Sequence, residues 1–269
     1  MYTGDGACHR QAVLLPLTGH QEQQLASAVP SPEDINDLLS ECLVRVGSLT
    51  DLTPRRVAAM TCGDRDHLLL TLRAAAMGRS IHLALRCSSP TCGARTTLVL
   101  DTDDLCASPQ DPAPNSIMLD TPAGRALLRE PTGEDEAALA VLPPGERADQ
   151  FWSRILIRIG DRGRLSVRDW QSLSRPVRQR IAVEFDQSRR GPRLSGGHPC
   201  PGCEAVIPWA VSASTLLSTE LRPGAERIPE EVHAFAWHYG WSEADTLALP
   251  RQRRWTYLRR LRQAVEVTG

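Results

Sequence analysis

Four cysteines stand in two close pairs, Cys87-Ser88-Ser89-Pro90-Thr91-Cys92 and Cys200-Pro201-Gly202-Cys203. Each pair sits in a stretch rich in Pro, Gly and Ser beside residues of strand character: 81–85 and 96–100 for the first, 205–211 for the second. A turn of that kind presents two thiolates with backbone amides aimed at the sulfurs, and two such turns complete a tetrahedron around one Zn2+. The spacing therefore predicts one structural zinc held by Cys87, Cys92, Cys200 and Cys203. Four thiolate ligands leave no coordination position for a substrate. The long chain between Cys92 and Cys200 is no obstacle, because loop-closure entropy grows only logarithmically with length. Arg86, Arg95 and Arg193 lie close in sequence to offset the excess negative charge, and His198 is a spare ligand. The competing chemistry is thiol–disulfide exchange at Cys-Pro-Gly-Cys. That needs the first cysteine at a helix N-terminus, which lowers its pKa. Here Glu204-Ala-Val-Ile-Pro-Trp continues as a strand, and Pro208 would break an early helix.

Other candidate sites are weaker. His233 and His238 share a helix but lie five residues apart, so they do not chelate as an i, i+4 pair would. Asp103-Asp104 and Glu134-Asp135-Glu136 have no basic or nucleophilic partner nearby in sequence and read as solvated faces. There is no Gly-rich phosphate loop, Gly-x-Ser-x-Gly or His-Glu-x-x-His, so no catalytic residues are assigned and no small-molecule substrate is expected.

Composition narrows the classes further. The 269 residues can bury a core unaided, and the formal net charge of −1 draws the chain neither to nucleic acid nor to an anionic membrane. All 31 basic residues are arginine. The start, Met1 to Asp5, lacks a basic region followed by an apolar core, and no apolar run approaches a membrane span. Eight cysteines spread over the whole length do not resemble a secreted disulfide framework, which points to a reducing cytoplasm. Between Tyr2 and Phe151 there is no aromatic residue, so the first half builds its core from Leu, Val, Ile and Ala and has no stacking platform for bases.

The elements that must position these groups give an α+β reading, mostly helical, with a small β zinc ribbon split by a helical insertion. Residues 10–17 suggest a short strand, and Thr18-Gly19 opens a helix. Ser31-Pro32-Glu33-Asp34 is a strong helix start. Ile35, Leu38, Leu39, Cys42, Leu43 and Val46 then predict one helix closed by Gly47. A second helix spans about 64–77. Alternation in 81–85 and 96–100 predicts a hairpin with Cys87 and Cys92 at its tip, a polar loop covers 101–116, and strands follow near 117–120 and 124–128. Trp152, Ile155, Leu156 and Ile159 make a helical stripe ended by Gly160. Ser166 and Ser174 start further helices. The regions so defined are 1–79, 80–130, 131–190 as the insertion, 191–215, and a C-terminal helical unit 216–269.

That last unit holds Phe235, Trp237, Tyr239, Trp241, Trp255 and Tyr257, half of the chain's twelve aromatics, beside an arginine-rich final helix after Pro250. Because interfaces favour Trp, Tyr and Arg, Trp237, Trp241, Arg253, Arg254, Trp255 and Arg259 are the expected partner-binding residues. The alternatives are rings packed internally, or a helix-turn-helix-like DNA reader. Against the latter, the usual glycine-bearing turn is missing.

Two segments carry a family resemblance. Leu52-Thr53-Pro54-Arg55, then Thr61-Cys62-Gly63-Asp64-Arg65-Asp66-His67-Leu68-Leu69-Leu70, continuing through Gly78-Arg79-Ser80-Ile81 to the first cysteine pair and Asp101–Leu105, resembles baseplate proteins of contractile phage tails. The tail segment from Glu231 to Arg254 is similar to that family's closing motif, and Leu15-Pro16-Leu17-Thr18-Gly19 is of the same type. The family includes T-even-type phages and phage-tail-like contractile injection systems. The resemblance implies a non-enzymatic baseplate or hub component, or an assembly factor, with other tail proteins as partners, made in the bacterial cytoplasm and either retained in the particle or released from it.

Overall fold

The computed structural model describes residue 9, residues 11–107 and 116–268, and side chains as far as residue 264. The expected loop at 101–116 lies partly outside the described residues. In chain order the elements are β1 (Ala12–Leu14), α1 (Gly19–Ser27), α2 (Pro32–Cys42), β2 (Leu43–Val46), α3 (Pro54–Ala58), α4 (Cys62–Met77), β3 (Ser80–Arg86), β4 (Arg95–Asp101), α5 (Thr102–Cys106), β5 (Ser116–Thr121) and β6 (Gly124–Arg129). They continue with α6 (Gly133–Ala140), α7 (Pro144–Ile155), β7 (Leu156–Ile159), α8 (Val167–Ser172), α9 (Arg175–Ser188), β8 (Ser195–Pro199), β9 (Val206–Ala210), α10 (Ala213–Ala225), α11 (Ile228–Tyr239), α12 (Glu243–Leu247) and α13 (Arg251–Thr268). The fold is α+β, with helices around small antiparallel sheets.

The chain forms two compact units, residues 1–13, 31–67 and 108–192 in one, residues 14–30, 68–107 and 193–269 in the other. In the first, β5-β6-β7 form a three-stranded sheet. Leu128, Ile155, Leu156, Ile159, Trp170, Val177, Ile181 and Phe185 make its core, with Phe151 and Trp152 packed against them. Trp152 stacks on Trp170 at 5.2 Å and meets Phe185 edge-on, and the indole N–H of Trp170 donates to Asp149 at 3.0 Å. Asp135 accepts from Arg129 at 2.6 and 2.8 Å and from Arg154 at 2.8 Å. Burial alone would raise its pKa, but these guanidiniums and the Thr132 amide hold it down at about 2.

Two expected helices are shorter than their apolar stripes. The helix predicted to reach Gly47 stops at Cys42, and the stripe ending at Gly160 stops at Ile155; Leu43–Val46 and Leu156–Ile159 are strands. In both strands the first and fourth residues are buried, Leu43 with Val46 and Leu156 with Ile159. A spacing of three is also helical, so a short strand covered at both ends continued the pattern of the preceding helix.

The two corrections coincide because the chain repeats itself. Leu43-Val44-Arg45-Val46-Gly47 corresponds to Leu156-Ile157-Arg158-Ile159-Gly160, and both glycines are left-handed, with φ of 56° and 53°. From there the match runs without insertion or deletion through the caps Thr53 and Ser166, buried Val57 and Trp170, buried Met60 and Leu173, to Arg65 and Arg178. Identical backbone bonds recur: Val46 with Leu49 and Ile159 with Arg162, Val57 to Thr53 and Trp170 to Ser166, Met60 to Val57 and Leu173 to Trp170. A shorter third version follows Gly240, with Ser242 as cap, Thr246 bonded to Ser242, Leu249 to Thr246, and Arg254 in the arginine position. Each repeat thus turns a corner between two helices, at Thr61, Ser174 and Pro250.

Candidate metal centre

Within the second unit, β3 and β4 pair antiparallel from Ser80↔Asp101 to Arg86↔Arg95, and β8 pairs β9 from Ser195↔Ala210 to Pro199↔Val206. The first cysteine of each pair follows directly on a strand, and the two hairpin tips are built alike. Cys87 N–H donates to Ala94 O at 2.8 Å, and Cys200 N–H to Ala205 O at 2.9 Å. The residue after the second cysteine is left-handed in both tips: Gly93 and Glu204, each with φ of 59°. β8 was not foreseen, since Ser-Gly-Gly-His-Pro lacks strand-forming side chains. Its glycines are needed where ring and methyl groups of β9 cross them, because a Cβ on Gly196 would lie 2.9 Å from the Trp209 ring.

The tips bring the four predicted cysteines together. Their sulfurs all lie within 4.8 Å of one another, with Cys87–Cys203 at 3.7 Å and Cys92–Cys200 at 3.6 Å. A regular tetrahedron with such edges has its centre about 2.2 Å from each sulfur, a metal–thiolate bond length. The four cysteines can therefore hold a metal ion. Cys87 and Cys200 are buried with Ile207, while Cys203 is exposed. Gly202 passes so close that a Cβ there would meet the Cys92 sulfur at 3.0 Å. The Gly202 N–H reaches the Cys200 sulfur at 3.4 Å and, with the Cys203 amide, brings that thiol down to about 7. Cys87 is pushed up to about 12: the Ser89 amide lowers it, but burial and the neighbouring thiols outweigh that effect. The partly buried His198 is not among the clustered ligand groups. Arg86, Arg95 and Arg193 are exposed.

The remaining cysteines do different work. Cys42 packs in the core and burial lifts it to about 12. Burial also raises the Cys62 thiol strongly, and Glu136 adds to the effect. Neither is a thiolate at neutral pH.

In the C-terminal helices the expected partner-binding residues separate. Trp237 is 78% exposed and Trp255 53%; Arg253 and Arg259 are also exposed. Trp241 is half-buried in a ring cluster with Phe235, Tyr239 and Tyr257. Arg254 is a correction. It is buried, donating to Glu231 at 2.6 Å and to Glu22 at 3.1 Å, so it anchors the interior and is not available to a partner. Sequence reading missed Glu22 as its counter-ion; the signal was a glutamate at the same place after Thr18-Gly19 as Glu136 after Thr132-Gly133. A groove of about 700 Å³ runs between α11 and α13, lined by Arg227, Glu230, Trp255, Leu258, Arg259 and Arg262 among others, and the Arg251 guanidinium lies 5.8 Å from the Trp255 ring centre. Among the described residues no helix is long and apolar enough to cross a membrane. Compared with protein-family models, curated proteins and solved structures, the chain matches none.

Proposed function

We propose that the protein is a non-enzymatic component or assembly factor of a contractile-tail baseplate, with a structural zinc at Cys87, Cys92, Cys200 and Cys203 and a docking groove for another tail protein between α11 and α13. The observation that carries the zinc is the gathering of four sulfurs within 4.8 Å of one another, a ligand set that suits a d10 ion without geometric preference and, fully used, leaves no open position for catalysis. The sequence resemblance supports the baseplate role. Exposed Trp255 and Arg259, which line that groove with Arg227 and Arg262, support docking of a carboxylate-bearing partner.

Structural zinc is worth on the order of 10–16 kcal/mol in small finger peptides. Metal analysis of protein purified in reducing buffer is expected to return one zinc per chain, and Cys203→Ser to lose both zinc and cooperative melting. Metal-free protein that cycles Cys200 and Cys203 as a disulfide would replace this reading with a redox one. For the docking groove, Trp255→Ala with Arg259→Glu is expected to leave a zinc-loaded protein of unchanged melting temperature and to abolish contractile particles in the producing strain. Normal particle yield would remove the baseplate role. Submicromolar, strongly salt-dependent duplex binding lost with Arg253, Arg259 and Arg260 would favour the DNA-reading alternative.

A further inference from the structure

The three repeat corners share their backbone bonds, and among the described residues two of them are covered. At Thr61 the cover is the start of α6. Pro131 O accepts from Cys62 N–H at 2.8 Å, Gly133 N–H donates to Met60 O at 3.2 Å, Thr132 bridges Thr61, and Arg65 pairs with Glu136. At Pro250 the cover is the start of α1. Gly19 N–H donates to Leu249 O at 3.2 Å, Thr18 bridges Pro250, and Glu22 pairs with Arg251 at 3.0 Å and Arg254 at 3.1 Å. Each cover is the same short segment, a strand residue followed by Thr-Gly-x-x-Glu at the opening of a helix. The glycine has a steric reason in both places. A Cβ on Gly133 would lie 2.6 Å from the Arg65 guanidinium, and one on Gly19 3.0 Å from the Leu247 backbone.

At Ser174 the corner is complete, and among the described residues no segment of this kind covers it. Leu173, Arg175 and Arg178 occupy the positions of Met60, Cys62 and Arg65. Gln171, Ser172, Ser174, Arg175 and Pro176 are all exposed, whereas Thr61 is buried, as are Leu247 and Arg251 of the third corner. Among the described residues Arg178 pairs with no carboxylate, and its Nε is buried without a hydrogen-bond partner, as is the Nε of Arg65. From this equivalence we infer that the Ser174 corner is a docking site for another protein, and that the docking segment is a strand residue, then Thr-Gly or Ser-Gly, then the first turn of a helix with a glutamate three residues after the glycine. The segment contributes a backbone N–H to Leu173 O, takes the Arg175 N–H on a carbonyl, and places its carboxylate on Arg178. Its glycine passes over the helix start, where a side chain would collide. The two Thr-Gly-x-x-Glu segments at Thr18 and Thr132 are seated at the other two corners, and the occupant assigned here is such a segment of a different protein. The inference stands on the repeat alone and does not depend on the baseplate reading or the zinc.

The test uses the full-length protein and, as probe, a fluorescent peptide copying residues 125–141, which contains Pro131-Thr132-Gly133 and Glu136. Anisotropy should show saturable binding below about 1 mM, the affinity of a small single-segment contact. Arg178→Glu in the protein, or Glu136→Gln in the peptide, should weaken it at least about tenfold, and a photo-crosslinker beside the peptide glycine should label residues 171–178. Arg178→Gln serves as a second variant should the charge reversal unfold the protein. No saturation by about 1 mM, or equal binding by wild type and both Arg178 variants, would overturn the inference. A concentration-dependent dimer that Arg178→Glu dissolves would assign the corner to a second copy of this chain and would equally overturn the separate partner.

Discussion

The corners at Thr61 and Ser174 share their caps, their backbone bonds and their arginine, yet one arginine is core and the other only partly buried. Arg65 is 2% exposed because α6 covers it. Arg178, on the same framework, keeps exposed neighbours on either side in Arg175 and Gln179. The difference teaches that the corner supplies the shape and the cover supplies the burial. A guanidinium taken from water must be matched by a carboxylate that arrives with the covering segment.

Removing the arginines one at a time should rank the corners. Arg254→Ala is the most damaging, since it strands the largely buried Glu231 and leaves the fully buried Glu22 with Arg251 alone; a loss of about 3–5 kcal/mol is expected in urea unfolding. Asp66, one residue beyond Arg65, gives a smaller effect with a distinctive pH dependence. Burial raises its carboxyl most, Glu136 adds to this, and Arg189 and Arg65 oppose it, leaving it at about 7. A carboxyl raised above its ordinary value makes the native state lose stability as pH climbs from about 4 to about 7. Asp66→Asn should therefore add about 1–3 kcal/mol at pH 8 and almost nothing at pH 4. Arg178→Ala is the smallest, within about 0.5 kcal/mol of wild type by thermal melting. A loss as large as that of Arg254→Ala would mean that the Ser174 corner is already satisfied internally, and the comparison would collapse.

The cysteine cluster was legible because its signal is local: cysteine types at close spacing, turn residues between them, alternation beside them. Helix starts were legible for the same reason, as at Ser31 and Ser166, whose side chains each accept from the backbone N–H three residues on. What failed was anything decided by a distant partner. β7 exists because β6, some thirty residues earlier, pairs with it. Arg254 read as a surface charge because Glu22 lies far away along the chain. The repeat left a trace in Leu-Val-Arg-Val-Gly against Leu-Ile-Arg-Ile-Gly. Its remaining positions keep only size and polarity, such as Val57 against Trp170, and so escape inspection of residue identity.

The split cysteine site also sets a clock on synthesis. Cys92 and Cys200 are 108 residues apart, and ribosomes add about 5–20 residues per second. The first hairpin tip therefore emerges about 5–20 s before the second. During that interval Cys87 and Cys92 are an open dithiol with half a coordination sphere, exposed to oxidants and to any ion content with two sulfurs. An oxidative pulse given during translation should thus spoil far more protein than the same pulse given afterwards, when all four sulfurs stand together and can hold an ion.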